Sequence, residues 1–244
     1  MSNQKYIVGI VALALILITV IVITSMLKDN TQQTIDVTGS YTVKAQPDYV
    51  ILNFAAETIA ESAEQAQEKN AKIVSDLKNN LKIAGLDESA VETVSFNIYP
   101  NYDYGPDYQS QPKITGYTAS HMFELKLEDV STSGQYLDII IKSGINRINN
   151  IRFEITEEKQ NQLRIESFSK ATENARSKAD AIAQGLGKEV GNVVKVSDQT
   201  FDFQPYYLRG GADFAVAEAK TALTEITPSD IEVRASIAAT FALK

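Results

Sequence analysis

The segment Leu163–Gly187, LRIESFSKATENARSKADAIAQGLG, constrains the fold more than any other. Phe168, Ala171, Ala175, Ala179, Ile182 and Leu186 recur every three or four residues and share one helical stripe. Most of that stripe is alanine, so the helix axis can lie close to the layer it covers. Asn174, Arg176, Lys178 and Asp180 point elsewhere. Gly185 and Gly187 bracket Leu186, which reads as a left-handed helix stop followed by an apolar contact. The next run, Glu189 to Phe203, is strand-like. The pattern describes a helix laid on a sheet, and it occurs a second time earlier in the chain.

A chain of 244 residues with 44% hydrophobic and 22% charged residues is ordinary for a globular protein. The formal charge of −8 and the absence of any Lys/Arg cluster argue against nucleic-acid binding, which needs a basic face. Cysteine is absent, which excludes disulfides, thiol catalysis and cysteine metal sites. Tyr6 to Leu27 holds 22 residues without a charge, long enough at about 1.5 Å per residue to span a bilayer core of roughly 30 Å. Secretory leaders usually carry a shorter apolar run, and Ile23-Thr24-Ser25 is a mediocre cleavage site. The expected organisation is a cytoplasmic end over 1–5, a transmembrane anchor over 6–27, a linker over 28–34 and an extracytoplasmic domain over 35–244. The bilayer is then a partner through 6–27, with secretion after leader cleavage as the alternative. Lys5 before the span and the cancelling pair Lys28 and Asp29 after it set that orientation.

Further along, Ile35–Gly39, Tyr49–Thr58, Val91–Tyr99, Ile114–Leu127, Arg147–Glu154 and Ile231–Leu243 read as strands. Ser62 and Gln65 form a capping box before a helix carrying Ala66, Ile73, Val74, Leu77, Leu81 and Ala84 on one face. That helix stops at Gly85-Leu86, and Pro100 is expected to end the strand after it. Ser131 or Ser133 caps a short helix that Gly144 closes. Pro205–Thr227 reads as irregular, with an alanine-rich piece at Phe214–Leu223. Strand, helix, glycine stop, strand and aromatic exit occur twice, about 105 residues apart, so two halves are expected. The predicted class is α+β: two βαβ-type pseudo-repeats forming a mixed sheet with helices on one face, preceded by one transmembrane helix.

The catalytic inventory is thin. His121 is the single histidine; strand parity places it with Tyr117, Ala119, Phe123, Leu125 and Leu127 on the buried face. A general base needs an orienting carboxylate and a nucleophile near it. A packed strand histidine is the preferred reading, and no catalytic, cofactor or metal residue is assigned. Asp103 and Asp107 flank Gly105 without the twelve-residue calcium spacing. Gly210-Gly211 reads as a turn. What stands out is tyrosine: Tyr102, Tyr104 and Tyr108 in the loop before Ile114, and Tyr206 and Tyr207 at the matching exit of the second half. Tyrosine supplies contact area at low entropic cost. The five rings either cap the sheet ends or form a contact surface for identical subunits or another ligand.

Ile35-x-Val37-x-Gly39, Pro47-Asp48, Gly85, Thr93, Tyr99-Pro100-x-Tyr102, Ile114-x-Gly116-Tyr117, Gly144-x-Asn146, the Lys170–Gly187 helix and Pro228…Ile231-x-Val233-x-Ala235 together resemble the SIMPL-domain family across residues 34–244. Ser229 departs from the glycine that commonly follows the proline. The family includes bacterial periplasmic and outer-membrane-associated antigens and stress-linked proteins of unknown activity. The resemblance implies an α+β fold of βαβ units, ring- or channel-like homo-oligomers in some relatives, and no catalytic residues. The expected function is that of a membrane-tethered extracytoplasmic assembly protein, self-associating through loops and sheet edges, in envelope maintenance or stress tolerance. The alternative is a binding module for an extracellular small or polymeric ligand through the tyrosine loops; a hydrolase with an unrecognised carboxylate site comes third.

Overall fold

The computed structural model describes residues 33–105, 111–209, 224 and 226–244. Among them are eight strands and three α-helices. In chain order these are β1 (Thr34–Ala45), β2 (Tyr49–Ala60), α1 (Ala63–Ile83), β3 (Val91–Asp103), β4 (Lys113–Leu127), α2 (Ser133–Lys142), β5 (Arg147–Glu154), α3 (Glu157–Gly185), β6 (Val190–Gln204), β7 (Tyr206–Arg209) and β8 (Ile231–Leu243).

The expected single mixed sheet of two βαβ repeats is not what forms. The strands make two sheets, one of three strands in the order β1-β8-β6 and one of five in the order β3-β4-β2-β5-β7. In the larger sheet β4 is antiparallel to both β2 and β3. It therefore lies between the two strands that flank α1 and splits what would have been a βαβ unit. In the second half β5 and β6, which flank α3, belong to different sheets. The echo in sequence is real at the level of element order but does not extend to strand pairing. The structure is mostly β-sheet. The expected transmembrane helix over 6–27 lies outside the described residues, and no helix among them is long and apolar enough to cross a membrane.

The chain divides into two compact units. The larger comprises residues 40–174 and 198–237. Its main core lies between the five-stranded sheet and α1 and α2, and includes Leu52, Phe54, Leu77, Leu81, Phe123, Leu125, Leu137 and Phe153. β2 is central and buried on both faces, which is why it reads YVILNFAAETIA with little alternation. The Ser62 hydroxyl accepts from the Gln65 N–H at 3.2 Å, so the expected cap forms. At the other end Leu86 N–H donates to Leu81 O at 3.0 Å and Gly85 N–H to Lys82 O at 3.0 Å, with Gly85 at φ +94°. These are the two bonds of a Schellman stop. A satellite core holds Ala45, Ile155, Ile231 and Val233, with Leu163, Phe201, Phe203 and Tyr206 packed on it.

The smaller unit comprises residues 1–39, 175–197 and 238–244, described from Gln33 onward. Ala175, Ala179 and Ala183 of α3 are buried, as are Val37, Ala239 and Phe241. Arg176 donates to the carbonyls of Val190 and Gly191, both at 3.0 Å, and stands over the Phe241 ring. A Cβ at Gly191 would come within 3.2 Å of the Ala242 carbonyl, so the backbones meet closely there. Along α3 as a whole the buried stripe is Ser167, Ala171, Ala175, Ala179 and Ala183, a strict four-residue repeat. Ile182 and Leu186, expected on that stripe, are exposed, and the left-handed stop uses Gly187, at φ +68°. The small side chains, rather than the large ones, mark the face that approaches a neighbour.

Candidate interaction surface

The five-stranded sheet and α1 lie wholly within the larger unit. β3 is one outer strand of that sheet and β7 is the other. With neighbouring strands about 4.8 Å apart, the two edges are separated by roughly 19 Å. The tyrosines singled out in the sequence divide between them. Tyr102 is on β3 opposite Ile114, and Tyr104 follows directly. Their rings lie 6.3 Å apart, and the two residues are 46% and 64% exposed. The Gly105 N–H bonds the Asp103 carboxylate at 2.9 Å and turns the chain beyond them. Tyr108 lies outside the described residues. On the far edge Tyr207 pairs with Arg152 and is 51% exposed. Tyr206 packs its ring 5.8 Å from Phe153 and touches both cores of the unit. The structure thus brings Tyr102 and Tyr104 together, leaves Tyr207 on another edge, and makes Tyr206 a packing residue.

β3 has the features of an edge open to pairing. It is 13 residues long and carries exposed Val94, Phe96, Tyr99 and Tyr102. The strand continues through Pro100 to Asp103 instead of ending there, because an outer strand tolerates a residue without an N–H. Its register with β4 shifts at Thr93/Ser95 and at Asn101/Tyr102. Bulges and a proline are ordinary edge protections, yet the usual edge lysine is absent from β3.

The sheet face turned away from α1 carries a polar network. Arg147 meets Glu57 at 2.7 Å, Arg152 meets Glu124 at 3.5 Å and Glu154 at 3.4 Å, and Asn53 donates to Asn150 at 3.0 Å. Tyr49 donates to Glu154 at 2.7 Å; burial and that bond push its hydroxyl up to about 12. The network sets two arginines against three glutamates and is mostly half-buried, so it reads as a structural polar layer on that face of the sheet.

His121 sits on β4 with its ring 4.0 Å from Phe123 and 5.0 Å from Phe96. Its Nε2 lies 3.1 Å from the Thr93 hydroxyl, and burial, aided by the Lys78 ammonium, holds its pKa below the usual histidine value. Its polar neighbour is a hydroxyl, not an orienting carboxylate. Among the described residues no group of three or more His, Asp or Glu side chains is placed to hold a metal. A broad depression of about 830 Å³ is bordered by Gln46, Pro47, Gln135 and the segment near Thr224. Gly134 makes room for that segment, because a Cβ there would stand 1.8 Å from the Thr224 carbonyl oxygen. Asp138 fixes it by accepting from the Thr224 N–H and hydroxyl.

A family model described as SIMPL, "Protein of unknown function (DUF541)", matches residues 35–241. The chain is 28% identical over 166 residues to a "26 kDa periplasmic immunogenic protein" of Brucella melitensis, covering 67% of this chain and 66% of that one. It is 29% identical over 167 residues to "Uncharacterized protein YggE" of Edwardsiella ictaluri, covering 68% of each. The protein of that name in Escherichia coli K12 is 27% identical over 171 residues, covering 68% of this chain and 66% of its own length. The match to the Brucella protein therefore spans just under two thirds of that relative.

Proposed function

The chain belongs to the SIMPL family, and from that premise we propose that it is an extracytoplasmic assembly protein whose copies associate through the β3 edge of the five-stranded sheet. The extracytoplasmic place draws on the relative described as periplasmic and on the charge-free run 6–27, which suits export whether it is retained or removed. Its work in envelope maintenance or stress tolerance rests on the family resemblance. Protease added to cells with the cytoplasmic membrane intact and the outer layers opened tests the location. Digestion supports it, and protection until the cytoplasm is lysed contradicts it.

The observation that carries the assembly reading is the exposed, 13-residue, lysine-free edge of β3. An edge strand presents a row of unpaired N–H and C=O groups that a second strand can satisfy. The strand is self-complementary. Antiparallel pairing of two copies about Asn97 sets Glu92 opposite Tyr102 and Asp103 opposite Val91, so no like charges meet. A two-fold contact of that kind is isologous, the commonest arrangement of soluble oligomers. Tyr102 and Tyr104 then flank the contact on both copies. Light scattering behind a sizing column, on the chain freed of residues 1–32, is the test. A mass of at least twice the monomer supports the reading, and a monomer across micromolar concentrations ends it.

A further inference from the structure

Between α1 and the β3–β4 side of the sheet runs a groove of about 300 Å³, lined by Gln67, Asn70, Ala71, Val74, Phe96 and His121. Its volume is at the small end of ligand pockets, enough for one or two rings. Three features of its lining point the same way.

Asn70 occupies the helix face that covers the sheet, at a position where the pattern Ala66, Leu77, Leu81 would ordinarily place an apolar residue. It is 1% exposed. Its Nδ2 donates to the carbonyls of Ala56 at 2.8 Å and Ala119 at 3.4 Å. Two carbonyl partners fix which end of the amide is nitrogen, since an oxygen there would face two acceptors. The Oδ1 is then left buried with no protein partner. Such an atom costs about 1–3 kcal/mol, and a native chain keeps one where something satisfies it. Phe96 adds an aromatic wall that is only partly covered, set edge-on to His121. The remaining polar groups of the lining are the Gln67 amide and the His121 imidazole; no charged side chain is among the lining residues, and the Lys78 ammonium acts on His121 from nearby.

We propose that this groove is a binding site for a small, neutral, planar molecule bearing at least one N–H or O–H donor, whose ring lies against Phe96 and whose donor reaches the Asn70 carbonyl oxygen. A carboxylate or phosphate does not fit at Asn70, because the buried acceptor there repels it. The site is separate from the tyrosines of the sheet edge, and it stands whether or not the chain self-associates.

His121 is the only histidine of the full chain, so its ring gives a single, assignable imidazole signal. The experiment titrates the untagged, isotope-labelled full chain with indole and with 1-methylindole, which has the same rings and no donor. The expected result is a saturable shift of the His121 ring signals with indole and about tenfold weaker binding of 1-methylindole, the worth of one hydrogen bond to a buried acceptor. Ala71→Leu, on the exposed side of the helix, fills the groove and removes the response, and Phe96→Ala weakens it severalfold. An unmoved His121 signal up to millimolar indole overturns the proposal. Equal affinity for the two indoles also overturns it, as does an unchanged response in both variants, because then the donor or the groove is not what binds.

Discussion

The two edges of the five-stranded sheet carry the same residue type and put it to opposite uses. β7 is four residues long, and its Tyr206 is held between Phe153 and the satellite core. β3 is 13 residues long, and its tyrosines face solvent. A short edge offers few backbone groups to a partner and can be stabilised by one ring packed inward. A long edge with bulges and exposed apolar side chains remains available. The aromatic exits that echo each other in the sequence are therefore not equivalent surfaces.

The largest effect is expected where the comparison is sharpest. Tyr206→Ala removes a ring that joins two cores and should cost about 2–4 kcal/mol in urea denaturation, whereas its exposed neighbour in Tyr207→Ala should change stability by less than about 0.5 kcal/mol. Equal losses from the two would erase the distinction drawn on β7. On β3, Val94→Lys combined with Tyr102→Glu, which sets like charges opposite Glu92 on both copies, should lower the mass in solution to that of one chain while moving stability by no more than about 1 kcal/mol. A large loss of stability with the mass unchanged would make this edge a structural strip. A smaller effect is expected from Pro100→Val, which restores a backbone N–H on the outer strand: self-association should strengthen severalfold, read as a lower concentration for half-dissociation.

The turn that leads into β2 carries a pH dependence at Asp48. Burial by itself would raise the pKa of Asp48, but the Lys159 ammonium at 2.6 Å and the Thr156 N–H and hydroxyl outweigh it, and the carboxyl ends below its ordinary value. A lowered folded-state pKa means that the contribution is present above the unfolded value of about 3.9 and is lost as pH falls through the folded one. Asp48→Asn should therefore be less stable than the natural chain at pH 6, and the gap should close below about pH 4. A gap that persists in acid would assign the effect to packing.

Much of the fold was legible along the chain and little of it across the chain. Alternation placed β4 and β8 almost to the residue, and Ser62 and Gly85 delimit α1 as their chemistry requires. The insertion of β4 between β2 and β3 depends on pairings distant in the chain, such as Ala56 with His121, and no local pattern encodes them. Tyr206–Arg209 is too short to show a period, and its status as a strand comes from Phe153 and its neighbours on β5. Ile182 and Leu186 misled because apolar size suggested burial, whereas the close approach of α3 selects Ala183. Asn70 had a visible signal, a polar residue in step with Ala66 and Leu77, and it marks the groove that the tyrosine pattern drew attention away from.

Pairing of β3 in one copy with β3 in another can be measured directly, because the chain has no cysteine of its own. Asn97→Cys places a lone thiol at the centre of the proposed two-fold contact, where the two backbones come within disulfide reach. Under mild oxidation a nearly complete covalent dimer is expected, formed at micromolar concentration and prevented by lysine at Val94 together with glutamate at Tyr102. The same thiol at Tyr207 should give little. If Asn97→Cys remains monomeric under conditions where Tyr207→Cys joins copies, β3 is not the edge through which copies associate.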